Sequence, residues 1–162
     1  MTEIEVAGAL GPVESPEGLL DSLKEMNQGS ILPLNPDLVC DRDHLLSAAM
    51  HAERAFRTGT NSASTLTMET LLYASGERQI SKATAKMGVR PHSERIALVT
   101  FDVPVDEVIS ALGMRRDDSV LDCSPEKLRE FGIADEEMST LPEGKARDLV
   151  LERVAFVDLI KR

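Results

Sequence analysis

The chain has 162 residues and a net charge of −10, with 42% apolar and 28% charged residues. That length and composition predict one soluble globular domain, residues 1–162, able to bury a core without disulfides. The acidic balance excludes an indiscriminate nucleic-acid binder. No apolar run approaches the ~20 residues of a membrane span, and the acidic N-terminus lacks a signal-peptide n-region, so a cytoplasmic protein without membrane contact is expected.

Ile4, Val6 and Ala7 before Gly8 predict a short strand. Ser15 followed by Pro16 is a cap and a first helical position; the helix it opens carries Leu19, Leu20, Leu23 and Met26 inward and runs to Gln28, with Gly29 as its stop. Ile31 to Leu34 reads as a second strand, and Asn35-Pro36-Asp37 as a cap and turn. Three helices follow, over Asp43 to Gly59, Ser64 to Ser75 and Glu77 to Met87, a helical cluster (43–88) inserted between strands. The first has its apolar stripe at Leu45, Ala48, Ala49, Ala52, Ala55 and Phe56, with Asp43 as the N-cap. Gly59 and Gly76 stand where a helix end calls for a left-handed residue.

Arg95 to Val103 is the best strand, and its run Ile96-Ala97-Leu98-Val99 predicts cover on both faces. A short helix from Pro104 to Leu112, a strand at Ser119 to Leu121, a helix from Ser124 to Gly132 and an acidic turn over Asp135 to Leu141 come next. The last helix, Pro142 to Ile160, is apolar on most sides, which predicts a helix sandwiched in the fold or covered by a partner. Few strands and many helices make the fold class α+β: a small mixed or antiparallel sheet with a helical cluster packed on it.

The third helix of the cluster places Arg78, Lys82 and Lys86 four residues apart on one side, with Ile80, Ala83 and Met87 nearly opposite. With Arg90 and Arg95 they form the one clearly basic stretch of the chain. In an acidic protein such a patch favours a single docking orientation on RNA.

Catalytic signatures are absent: no GxGxxG, no phosphate loop, no nucleophile elbow. His44 and His51 lie ~10 Å apart along a helix axis, too far for one metal ion, and read as partly exposed helix histidines. His92 reads as a loop residue. Cys40 and Cys123 lack CxxC spacing and read as ordinary, buried thiols. Glu69 reads as a half-buried structural acid paired with Arg78 or Lys82 across the Gly76 turn. No cofactor or metal is implied.

The run Ala55-Phe56-Arg57, then Asn61, then Met68 through Ile80 (with Glu69, Leu71-Leu72-Tyr73-Ala74-Ser75-Gly76 and Gln79-Ile80), Ala83 and Gly88-Val89 resembles the kinase-binding regulatory subunit of the KEOPS (EKC) complex, the PRPK-binding protein (TPRKB) family. Asn35, Leu45, the stretch from Asp117 to Leu121 and Glu152-Arg153-Val154-Ala155 extend the resemblance over nearly the whole chain. It implies a small sheet with a helical cluster and a non-enzymatic subunit. Such a subunit binds the amino-terminal lobe of the complex's small atypical kinase, an ATPase. The complex makes threonylcarbamoyl-adenosine in tRNA, and the other subunits are met indirectly. It also implies contact with tRNA, at the single-stranded CCA tail in archaeal members.

Position and chemistry then suggest Arg78, Lys82, Lys86 and Arg90 for the phosphates, Gln79 and Asn61 for base edges, and Tyr73 for a ring to stack on. Leu66, in the second helix of the cluster, and Leu151, Val154 and Phe156 in the last helix are the expected kinase contacts. Two other readings compete: a kinase-regulating scaffold with no RNA contact, and a small enzyme using Cys40, His44 or Glu69.

Overall fold

The computed structural model describes residues 2–26, 30–142 and 144–161. Its centre is a four-stranded antiparallel sheet of order β2-β3-β1-β4, made by β1 (Ile4–Val13), β2 (Ser30–Leu34), β3 (Ser93–Phe101) and the two-residue β4 (Arg115–Arg116). The α+β class expected from the sequence is the one found, and the sheet is wholly antiparallel.

Period-two alternation along β3 divides the core. Ile96 and Leu98 point to one face, where they meet Leu19 and Leu23 of α1 (Pro16–Glu25) and Val105, Val108 and Ile109 of α5 (Val105–Ala111). Ala97, Val99 and Phe101 point to the other, against the helical cluster. The strand is therefore covered on both sides, as its continuous apolar run requires.

The cluster comprises α2 (Arg42–Thr58), α3 (Leu66–Ser75) and α4 (Ile80–Met87), inserted between β2 and β3. Gly59 and Gly76 close α2 and α3 in the left-handed conformation, at φ 72° and 73°. Two short helices, α6 (Pro125–Phe131) and α7 (Asp135–Ser139), lead to α8 (Ala146–Ile160), which packs on α2, α3 and α6.

Several expectations are corrected. β1 does not stop at Gly8 but continues to Val13, with its register shifting between Leu10 and Val13. Gly8 is there because another segment comes too close for a side chain: an added Cβ would lie 2.5 Å from the Asp117 carbonyl oxygen and 2.8 Å from Val120 Cβ. Ser119 to Leu121 is not a strand; it falls in a 3₁₀ turn, Asp118–Leu121, whose start is capped by the Asp117 carboxylate and which is hung on β1 by Gly8 N–H to Asp118 Oδ1 at 3.1 Å. The third helix of the cluster starts at Ile80, not Glu77. The expected end of α1 at Gln28 and Gly29 lies outside the described residues. The helix enclosed on nearly every side is α3, buried from Glu69 to Ser75, whereas α8 buries only Val150, Val154 and Val157.

Candidate functional site

The junction of α3, α4 and α8 holds most of the residues singled out from sequence. Arg78 and Gln79 occupy the turn before α4, Gln79 at the N-cap position, and both are exposed, as is Lys82 in the helix. Ile80, expected to face inward, is 42% exposed, because the later start of the helix leaves only Ala83 and Met87 against the core. Arg78-Gln79-Ile80 thus sets a cation, an amide and an aliphatic side chain side by side in water. Neither Arg78 nor Lys82 has an ion pair among the described residues, and Arg90, also exposed, reaches only the Ala85 carbonyl oxygen at 3.5 Å. Arg95, by contrast, is bound to Asp37 at 2.6 Å.

Lys86 does not join this row. Its Nζ donates to the Ser75 carbonyl oxygen at 2.7 Å and lies 4.0 Å from the Phe131 ring centroid. The side chain closes the α3 end and binds α4 to α6; burial holds its ammonium below the usual lysine range.

Tyr73 is not at the surface either. Its ring is stacked on His51, with centroids 5.2 Å apart, and Lys161 Nζ lies 4.6 Å from its centroid. Its hydroxyl donates to Asp158, and burial followed by that carboxylate pushes the phenol up. A ring held this way has no free face for a base. Burial alone would raise Asp158, but the Tyr73 hydroxyl, His51, Lys161 and Arg54 together hold it below the usual carboxylate range. Asn61 is exposed, and its amide nitrogen donates to the Ala63 carbonyl oxygen at 2.9 Å, so it shapes the α2–α3 loop.

Two residues expected to be partly exposed, His44, or half-buried, Glu69, prove to be wholly internal. His44 is fully buried, accepting from Cys40 N–H at Nδ1 (3.0 Å) and donating from Nε2 to the Ala74 carbonyl oxygen (2.7 Å); burial brings its pKa from 6.5 to about 4. Glu69 is wholly buried, and its partner is Lys161, not Arg78 or Lys82. Its carboxylate also accepts from Ser62 and Ala63 N–H, at 3.0 and 2.8 Å. Both side chains thus serve the packing of α2, α3 and the loop between them.

Among the expected kinase contacts, Val154 is fully buried and Leu66 packs partly on the core. Phe156 is 53% exposed and Leu151 half-buried. Leu159, not singled out from the sequence, is 63% exposed. At ~100° per residue, Leu151, Ala155 and Leu159 form one stripe that runs from the flank of the buried valines to nearly opposite them at Leu159, with Phe156 about 60° further round. The i, i+4, i+8 spacing was the available signal for Leu159.

The family described as "Kinase binding protein CGI-121" matches residues 13–132. The chain belongs to the CGI-121 family. It is also similar to the regulatory protein Cgi121 of Methanocaldococcus jannaschii, with 30% identity over 129 residues, 79% of this chain and 83% of that one. In CGI-121 terms, the matched stretch holds β2–β4, α1–α6 and the exposed Arg78-Gln79-Ile80 turn, while β1 up to its last residue lies before it and α7 and α8 beyond it. No helix among the described residues is long and apolar enough to cross a membrane.

Proposed function

We propose that this CGI-121 protein is a non-catalytic, single-domain subunit of the KEOPS complex, docking on the complex's small atypical kinase and holding tRNA for threonylcarbamoyl-adenosine formation. It works in the cytoplasm and meets the other subunits through the kinase. Membership of a kinase-binding family supports the first contact. The observation that carries the proposal is the open outer face of α8, where Phe156 and Leu159 stand in water on a helix already anchored by its opposite face. Apolar side chains of that size, grouped on a rigid element, suit the buried centre of a protein interface.

The tRNA contact rests on Arg78, Lys82 and Arg90 for phosphates, with Gln79 and Ile80 offering an amide and an aliphatic face to unpaired bases. Neither Tyr73 nor Lys86 is part of it. Co-purification with the kinase, combined with a gel shift on tRNA with and without its CCA end, tests both halves. Loss of the kinase with Phe156→Glu plus Leu159→Glu, and loss of tRNA with Arg78→Glu plus Lys82→Glu in a folded chain, is the expected result. tRNA affinity untouched by the second pair would leave the kinase-regulating scaffold as the function.

A further inference from the structure

The two cysteines, far apart in sequence, are brought together at the base of α2 and α6. Asp41 N–H donates to the Leu121 carbonyl oxygen at 2.8 Å, which fixes the segment carrying Cys40 alongside the one carrying Cys123. Cys40 is sealed in the core at 2% exposure. Cys123 packs on the same core but also lines an open cleft of about 820 Å³ together with Ser124, Arg129 and Arg147. The two side chains thus lie next to one another, one inside the core and one at its edge. This proximity shifts the two groups in opposite directions. Cys40 beside it favours ionisation of Cys123, which the Lys127 ammonium also assists, while Cys40 is pushed far up, first by its neighbour Cys123 and then by burial. Lys127 is held in place by its bond to the Val120 carbonyl oxygen at 2.7 Å. One thiol is therefore reachable from the cleft, and the other is enclosed beside it.

We propose that Cys123 and Cys40 form a thiol modification site, an attacking and a resolving cysteine that close a reversible intramolecular disulfide. The oxidant class is a hydroperoxide. The Cys123 thiolate attacks the terminal oxygen, the O–O bond breaks, and the alkoxide or hydroxide leaves and takes up a proton, giving Cys123 sulfenic acid. The Cys40 sulfur then attacks the sulfenic sulfur; the S–OH bond breaks, the Cys40 proton leaves with the hydroxide as water, and the S–S bond forms. Two thiols have supplied two electrons, and a dithiol reductant returns them by exchange. The bond ties Asp41, N-cap of α2 and partner of Arg147 in α8 at 2.9 Å, to Ser124, N-cap of α6. Oxidation thus locks the junction at which three helices begin.

The test treats the full chain with hydrogen peroxide, blocks residual thiols by alkylation and maps non-reduced peptides. The expected product is a Cys40–Cys123 linked peptide with no sulfenate trapped by dimedone, reversed by dithiothreitol and formed faster in the folded chain than in urea. Cys40→Ser should strand Cys123 as a dimedone-reactive sulfenate, and Cys123→Ser should leave Cys40 reduced. Two alkylatable thiols surviving in the folded wild type, accumulation of Cys123 sulfinic acid beside reduced Cys40, or a cross-link that forms no faster folded than unfolded would each overturn the proposal. Since the wild type is compared with itself in urea, the outcome does not depend on the variants folding.

Discussion

Glu69 and Lys161, 92 residues apart, meet at 2.6 Å with side chains only 0% and 4% exposed. The carboxylate also accepts two backbone N–H groups of the α2–α3 loop, so one buried acid fixes that loop, α3 and the end of α8 together. A buried pair need not be more stable than an apolar substitute, but removing one partner leaves an uncompensated charge. Glu69→Ala should therefore cost roughly 3–5 kcal/mol in urea unfolding. Adding Lys161→Met to it should recover part of that loss, since the stranded ammonium disappears. A cost for the double variant as large as that of Glu69→Ala would show that the loop N–H groups, not Lys161, are what Glu69 serves.

His44 carries the larger share of the pH dependence, to which half-buried His51, also held below its ordinary value by burial, adds in the same direction. The folded His44 pKa of about 4 lies below the ordinary 6.5, because burial disfavours the cation more than the Ala74 carbonyl oxygen favours it. Between those values the unfolded chain binds the extra proton and the folded chain does not, so stability falls as pH falls. Its contribution is fully present above pH 6.5 and lost toward pH 4; at 1.36 kcal/mol per unit the loss amounts to roughly 3 kcal/mol. His44→Gln should lower stability at pH 7 and flatten the decline from pH 6.5 to 4.5. Paired carboxylates such as Asp118 and Asp158, held below their usual range, lose their contribution at lower pH, outside that interval. Chemical denaturation across pH checks this.

What the sequence could and could not reveal follows from range. Local signals worked: Ser15-Pro16 and Ser124-Pro125 open helices, Gly59 and Gly76 end them, and the β3 run is covered on both faces. Where the partner is distant in sequence, the reading went astray. Local spacing pairs Glu69 with nearby cations because Lys161 lies 92 residues away, and it leaves His44 partly exposed because the Ala74 carbonyl oxygen comes to it only after α2 and α3 pack. The same holds for the candidate site. A helical wheel puts Lys86 with Lys82, but the bond to Ser75 and the Phe131 ring turn it inward, and α3 rather than α8 takes the enclosed position because α2, α4, α8 and β2 all pack on it.

Lys82 and Lys86 are chemically identical and one helical turn apart, yet their substitutions should separate cleanly. Lys86→Ala removes the donor to the Ser75 carbonyl oxygen and a cation over a ring, with an expected loss of about 1–3 kcal/mol of stability. Lys82→Ala touches no ion pair or hydrogen bond among the described residues, and its stability effect should stay within ~0.5 kcal/mol. On the proposed RNA face the order reverses: Lys82→Ala weakens tRNA binding and reduces its salt slope by about one unit or less, while Lys86→Ala in a folded chain leaves that slope unchanged. Thermal melts and gel shifts at several salt concentrations resolve the two. Equal effects of both variants on the slope would move the RNA face away from the start of α4.

The α8 face separates stability from association in the same way. Val154 and Phe156 are two positions apart, one fully buried and one half in water. Val154→Ala opens a cavity beneath the helix and should cost about 1–3 kcal/mol, lowering kinase binding only as far as it unfolds the chain. Phe156→Glu and Leu159→Glu remove apolar groups that contact little in the free protein, so unfolding should barely change while a carboxylate is driven into the proposed contact. An interface centred there should lose at least 2 kcal/mol, ~30-fold in affinity, per substitution, the scale of a central anchor residue. Calorimetric titration of the kinase with each variant measures this directly, and wild-type affinity for a folded Phe156→Glu, Leu159→Glu double variant would place the kinase on another face.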